Sequence, residues 1–311
     1  MANVQCRACF KEFGSDSSLH RHLKAHKMTQ AYYYQKYEPR YDKFDGKIIL
    51  FKNRDYYFSN DFNSKQNLNK WLNRVSRDEA KDYIRGYLSQ RKLQKNLKYA
   101  LCQVELRSLM LPGMVYLNKL FGNYYKECQA LGLSARFVGG KLSDTPRSFL
   151  PHHGIYCDSR EQQPLKFNIK SILQGLTFGD YRLNDDEFTQ NCCIERKALT
   201  DLFGTLSTGY ERFCREIERA QAAGFYLVVV VESSMQSIND HIKMLRSKFV
   251  YISPEYVFHN LRAICQNYDN VQFLFVNDRA EAVEAIERIF QSNGEFKRVD
   301  LQFCYDTGKL I

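Results

Sequence analysis

GIYCD (154–158), LTFGDYRL (176–183), CCIER (192–196) and FYLVVVV (225–231) are the stretches on which the fold turns. Each is short, carries β-branched or aromatic residues, and is flanked by Gly, Asp or Asn, which is the pattern of strands. FYLVVVV has no polar alternation, so it predicts a strand buried on both faces at the centre of a sheet. Helical periodicity follows over Ala198–Leu206, Tyr210–Ala222, Ser253–Asn267 and Arg279–Gln291, with VQFLFV (271–276) as a further strand. Strands alternating with helices predict an α/β architecture, a central mixed sheet covered by helices on both faces.

The same stretches hold the chemistry. Acidic and basic residues gather in IYCDSRE (155–161), GDY (179–181), IERKALTD (194–201) and STGYERFCREIERA (207–220). Hydrolysis of a phosphodiester needs carboxylates to hold one or two divalent ions and a cation near the attacking water and the developing charge. Asp180 falls at a strand turn, while Glu195 and Lys197, two apart on a strand, point to one face. Arg196 points to the other, so its backbone carbonyl is the better candidate for an extra ligand.

In order and spacing, D-x-R-E after a strand, G-D-Y after the next, E-R-K-x3-D after a third and an Arg-rich helix resemble the XPF-type nuclease signature, a subgroup of the PD-(D/E)XK superfamily. The resemblance covers residues 154–232 and implies a restriction-endonuclease-like core within residues 150–311. It implies that Asp180 and Glu195 are the principal ligands of Mg2+ or Mn2+, with Asp158 and Asp201 as supporting carboxylates. It also implies that Lys197 activates water or stabilises the phosphorane and that Arg160 positions the phosphate. Glu161, Tyr181, Arg196 and Arg212 are second-tier candidates, for which a structural role is as good a reading. Hard oxygen ligands suit Mg2+ and Mn2+ and leave room for water and phosphate. XPF-type enzymes usually add a C-terminal tandem helix-hairpin-helix domain, and no such pattern follows Gln291; no helicase P-loop suggests ATP use.

That departure places DNA binding on the N-terminal half. Residues 1–150 hold 27 Lys and Arg against 13 Asp and Glu, +14, whereas residues 151–311 hold 18 against 22, −4. A basic half joined to a slightly acidic one suggests polyanion affinity in the first, with DNA as the expected partner; anionic membrane surfaces attract such segments too. Residues 1–28 carry Cys6-x2-Cys9-x12-His22-x3-His26, with Phe13 and Leu19 at small-core positions, and resemble a C2H2 zinc finger. Four N/S ligands make a tetrahedral Zn2+ site, without which so short a unit cannot fold. A helix starting near Asp16 would turn Ser15, Ser18 and Arg21 toward bases, with Lys24 and Lys27 nearby for phosphates. A structural or protein-binding finger fits the same residues. His20, the spare histidine, is expected at the solvent.

The tyrosine-rich connector AYYYQKYEPRYDKF (31–44) is too aromatic for a flexible linker and should pack on something. The segment from Arg74 to Phe137 reads helical, starting at Ser76-x-x-Glu79 and broken at Pro112-Gly113. Arg91, Lys92, Lys95 and Lys98 place charge along one side of it, suited to a phosphate backbone or to solvent. Residues 109–133 resemble the short helical DNA-binding repeat found beside homing endonuclease domains. Residues 29–140 thus form a basic, mostly helical region, ended by the Gly-, Ser- and Pro-rich stretch 137–154.

Composition bounds the rest. The chain has 311 residues, 44% hydrophobic, ample for two or three cores. Its 10 cysteines fit metal ligands and small core residues better than disulfides. There is no apolar run of membrane-spanning length and no signal-peptide layout, so an intracellular protein without membrane contact is expected, in a bacterial host if viral or a nucleus if eukaryotic. The leading expectation is a metal-dependent endonuclease for branched or structured DNA, suited to repair or recombination, with a homodimer through helices of residues 253–291. A sequence-directed homing-type nuclease, and a non-catalytic DNA-binding protein with a dead nuclease fold, are the alternatives.

Overall fold

The computed structural model describes residues 4–138, 140–144, 146, 148–149, 152–184, 191–237 and 253–311. Residues 139, 145, 147, 150 and 151 of the predicted boundary stretch lie outside the described residues. The chain divides into two compact units, residues 1–84 with 110–112, and residues 85–109 with 113–311.

The first unit begins with an antiparallel pair, β1 (Val4–Gln5) and β2 (Glu12–Phe13), then α1 (Asp16–His22) and a 3-10 turn, Leu23–His26. Ser15 caps α1, its Oγ accepting from the Ser18 N–H at 3.2 Å. Three further capped helices follow: α2 (Gln30–Tyr37) behind Thr29, α3 (Arg54–Ser59) behind Asn53, and α4 (Lys65–Leu72) behind Ser64. Cys6, Leu19 and Leu23 of the segment expected to be a finger share one buried core with Tyr33, Tyr34, Ile49 and Tyr57. The connector therefore packs on the finger: the Tyr33 hydroxyl accepts from the Arg7 N–H at 2.8 Å, and Phe51 stacks on Tyr34. His20 does not face solvent as expected. It is half-buried with Nε2 2.9 Å from the Tyr34 hydroxyl, because α1 presents that side to the tyrosine core.

Helix α5 (Arg77–Lys95) starts where Ser76 Oγ accepts from the Glu79 N–H. In the second unit α6 (Gln103–Ser108), α7 (Met114–Phe121) and α8 (Tyr124–Ala130) precede the sheet. The strands are β3 (Gly154–Asp158), β4 (Ser171–Gln174), β5 (Tyr181–Asn184), β6 (Cys192–Lys197), β7 (Tyr226–Val231) and β8 (Val271–Phe275), in spatial order β4-β3-β5-β6-β7-β8. β5 runs antiparallel to β3 and β6, and the other pairings are parallel, so the sheet is mixed. The helices are α9 (Leu199–Thr205), α10 (Tyr210–Ala222), α11 (Pro254–Asn267), α12 (Arg279–Gln291) and α13 (Leu301–Asp306).

Both faces are covered. Leu227, Val229 and Val231 of β7 face Phe203, Ile217 and Leu261 from α9, α10 and α11. Tyr226, Val228 and Val230 face Ile286 and Phe290 of α12 and Leu301 of α13. Alternate residues on opposite faces, all apolar, explain why FYLVVVV reads as an unbroken run. The adjacent Cys192 and Cys193 are likewise buried, one in each core. Two strands depart from expectation. β4 has a mostly exposed edge sequence without apolar alternation, so no pattern announced it. The predicted strand 176–183 is confined to Tyr181–Asn184, because Gly179 adopts φ +67° and turns the chain.

Candidate active site

Asp180 sits one residue before β5, held over β6 by that turn: its N–H donates to the Ile194 carbonyl at 2.7 Å. A Cβ on residue 179 would lie 2.7 Å from the same carbonyl, so only glycine permits the approach. Asp180 Oδ2 accepts the Arg196 N–H at 2.7 Å. Glu195 and Lys197 project from the same face of β6, where the Lys197 ammonium donates to Glu195 Oε1. Glu195 is 8% exposed, a buried charge that requires a partner.

The electrostatics follow from that crowding. Burial, then the neighbouring Glu195, push the Asp180 carboxyl up to about 7, against the opposing Arg196 N–H and Lys197. Burial works against the Lys197 ammonium, yet Glu195, Asp180 and Glu216 outweigh it and hold its pKa above the ordinary lysine value. Glu216, on α10, belongs to the same field: burial and then Glu195 raise its carboxyl, while Lys197, Arg219 and Arg212 pull it down. Asp180, Glu195 and Glu216 thus act on one lysine, and carboxylate oxygens are the donor type that a hard divalent cation takes. Glu216 was not singled out in the sequence. Its only signal was a place on an Arg-rich helix, and the helix rotation that aims it cannot be read from spacing.

The remaining predicted residues are less uniform. Asp158 is buried and its carboxylate is taken: Oδ1 accepts from Arg160 N and Nε at 2.8 and 2.9 Å, Oδ2 from Arg160 Nη2 at 2.5 Å and Leu176 N at 3.3 Å. Hydrogen bonding to Arg160 holds its pKa below the usual aspartate value. Asp158 thus orients Arg160, whose side chain is 75% exposed, in place of offering a free carboxylate. Asp201 lies exposed in the first turn of α9, and no ion pair or hydrogen bond joins it to Asp180 or Glu195 among the described residues. Arg212 is exposed on α10. Tyr181 is fully buried, its hydroxyl accepting from the Leu165 N–H at 3.0 Å.

Arg196 faces away from Glu195, as alternation requires. Its guanidinium bridges Glu161, at 2.9 and 3.1 Å, to Glu232, at 3.1 Å, and Glu232 in turn pairs with Arg279 at 3.1 Å. The ends of β6 and β7 and the loop after β3 are tied together on that side.

In the first unit, one ligand atom from each of Cys6, Cys9, His22 and His26 lies within 4.8 Å of the others, the one such grouping of three or more His, Cys, Asp or Glu among the described residues. Two sulfurs and two imidazole nitrogens suit Zn2+. On α1, Arg21 is exposed and Ser18 half-buried, with Lys24 and Lys27 exposed on the turn beyond, whereas the Ser15 hydroxyl is used as the cap and donates to Ser18 Oγ at 3.1 Å. Arg91, Lys92, Lys95 and Lys98 do not form one free row. Arg91 is half-buried beside Tyr87, and Lys92 Nζ donates to the Leu131 carbonyl at 2.8 Å, closing the end of α8; Lys95 and Lys98 are exposed. The segment resembling the homing-type repeat is the α7 and α8 pair, with Gly122 stopping α7. Among the described residues no helix is long and apolar enough to cross a membrane.

Comparison with known proteins bears on residues 157–289, which match the ERCC4 domain family model. Among solved structures, XPF from Aeropyrum pernix is similar at 19% identity over 43% of this chain and 58% of that one, with a TM-score of 0.33. XPF from Aeropyrum pernix in complex with DNA is similar at 20% identity over 44% and 64%, with a TM-score of 0.32. The chain therefore spans less than two thirds of either structure, and no curated protein sequence matches it. The stretch that matches the ERCC4 domain family model, residues 157–289, lies over the six-stranded sheet whose strand ends carry Asp180, Glu195 and Lys197.

Proposed function

We propose that this chain is a metal-dependent DNA endonuclease acting on branched or otherwise structured DNA. The observation that carries the proposal is the convergence of Asp180, Glu195 and Lys197 at the ends of adjacent elements of an ERCC4 domain. Asp180 and Glu195 would hold Mg2+ or Mn2+, and a bound ion supplies Lewis acidity toward the phosphate and lowers the pKa of water. Lys197, charged and steered by Glu195, places a donor where negative charge develops on the phosphoryl oxygens. Arg160, fixed from behind by Asp158 and open to solvent in front, orients the scissile phosphate. Zn2+ in the finger is part of the same proposal, as the element that orders the first unit. DNA as partner is supported by the basic N-terminal half, +14 over residues 1–150.

Cleavage with and without Mg2+ across duplex, single-stranded, flap and four-way junction DNA, with products mapped to the nucleotide, tests the proposal. Flap or junction cutting is expected, with losses of about a hundredfold or more in Asp180→Asn and Lys197→Ala. Equal cutting by folded, DNA-bound variants would remove the site assignment; one fixed cut in plain duplex would replace structure-directed by sequence-directed cleavage.

A further inference from the structure

A second concentration of basic groups lies within the second unit, on the face of the sheet that carries α9, α10 and α11. Residues 255, 259, 262 and 266 form one stripe of α11, and residues 87, 91 and 95 form one stripe of α5, at the three- and four-residue spacings that align helical side chains. The stripes face each other. The side chain of Gln266 accepts from the N–H groups of Lys98 and Tyr99 just beyond α5, at 3.2 and 3.1 Å, and the charge of Arg262 acts on Arg91 across the seam. His259 feels Arg262 on its own helix and Lys95 and Arg91 on α5.

Among the described residues, the acidic groups that act on Arg91 are Glu105 and Glu255. Glu105 is buried, with its oxygens taken by the Cys102 N–H and the Gln266 side chain, and burial raises its pKa. Glu255 is spent on Arg262, at 2.6 Å, which also reaches Ser108 Oγ at 3.0 Å. Arg262 is 6% exposed, and both its Nε and that of Arg91 are buried with no hydrogen-bond partner among the described residues. Like charges drawn together with unfilled donors need an anion to balance them.

We infer that the seam between α5 and α11 is a phosphate-binding site for a nucleic-acid backbone, in which Arg91, Lys95 and His259 meet the phosphates and Arg262 holds a fixed positive charge behind them. The site rests on the DNA reading above and adds to it a grip supplied by the nuclease unit itself. A backbone is favoured over a small anion because the basic groups are strung along two helices, Lys98 extending the line, and do not converge on one point.

The full chain, without added divalent ion so that nothing is cut, is titrated with a short labelled DNA duplex over a salt series. Arg91→Gln/Lys95→Gln is expected to bind about tenfold more weakly and to lower the slope of log affinity against log salt by about 2. Lys166→Gln, an exposed charge elsewhere in the unit, should change neither. His259 gives a readout that folding alone would not move. Burial, then Arg262, Lys95 and Arg91, hold its imidazole below the ordinary value against Glu255, and a bound phosphate should raise it in an NMR titration. Parent and double variant binding alike, with one salt slope, overturns the seam while leaving the nuclease reading intact. A parent that neither binds nor cuts DNA overturns both. Displacement of the duplex by pyrophosphate at matched phosphate concentration would show a small-anion site and overturn the backbone assignment.

Discussion

Asp180 is where the local physics is most exposed to measurement. Its carboxyl is raised from 3.8 to about 7, by burial first and Glu195 second. The folded state therefore holds this proton more tightly than the unfolded chain between about pH 4 and pH 7. Stability is lost as pH rises through that window, and the loss is complete above it. Asp180→Asn removes the titration, so the variant should melt above the parent at pH 8, by about 1 to 3 kcal/mol, with the gap closing near pH 4. Mg2+ should stabilise the parent and not the variant. Thermal scans at the two pH values, with and without Mg2+, decide it; a gap independent of pH would mean that Asp180 is not in this environment. At this scale Glu195 and Lys197 were legible, because period two on a strand dictates a shared face. The engagement of Asp158 by Arg160, and the arrival of Glu216 from α10, were not, since both depend on where separate elements meet.

The first unit illustrates how elements depend on one another. The finger, the tyrosine connector and α3 share one core, in which Cys6 is itself fully buried beside Leu19, Tyr33, Tyr34 and Tyr57. Zinc binding to such a site is worth about 10 kcal/mol or more, comparable with the whole stability of a small domain. Chelating the metal, or Cys9→Ser, should therefore unfold residues 29–59 along with the finger. Loss of near-UV tyrosine dichroism and new proteolytic cuts in that stretch are the expected signals; full protection would show that the tyrosine helices stand alone. The spacing of cysteines and histidines announced the grouping of Cys6, Cys9, His22 and His26, and the aromatic density announced that the connector packs. Only the packing revealed that the two are one core and that His20 belongs to it. In the second unit, periodicity marked α10 and α12 to the residue, whereas the Gly179 turn shortened β5 because a positive φ is invisible in a hydrophobic pattern.

At the scale of the molecule, the second unit extends N-terminally past residues 157–289, the stretch that matches the ERCC4 domain family model. Cys102, Val104 and Phe137 join the core formed with Val257, Phe258, Leu261 and Ile264 of α11, Arg262 reaches Ser108, and Arg136 donates to the carbonyls of Cys265 and Val271. Much of the apolar surface of α11, expected to serve a homodimer, is thus covered within the chain. A protein beginning at residue 140 should lose that cover, expose α11, and aggregate or melt about 10 °C or more below the full chain, as burial of several large apolar groups is removed. Light scattering and calorimetry of the two lengths test this; equal melting would mean that residues 85–138 only lie on the surface. What the sequence by itself determined were the features written in local order: a strand fully buried on two faces, charges alternating along β6, four zinc-type ligands at fixed spacing, and a basic half before an acidic one. What only the tertiary structure decided were contacts between distant segments. Burial raises Asp180, α10 delivers Glu216, and α6 covers α11, because desolvation and packing depend on which surfaces meet and not on the order in which residues follow one another.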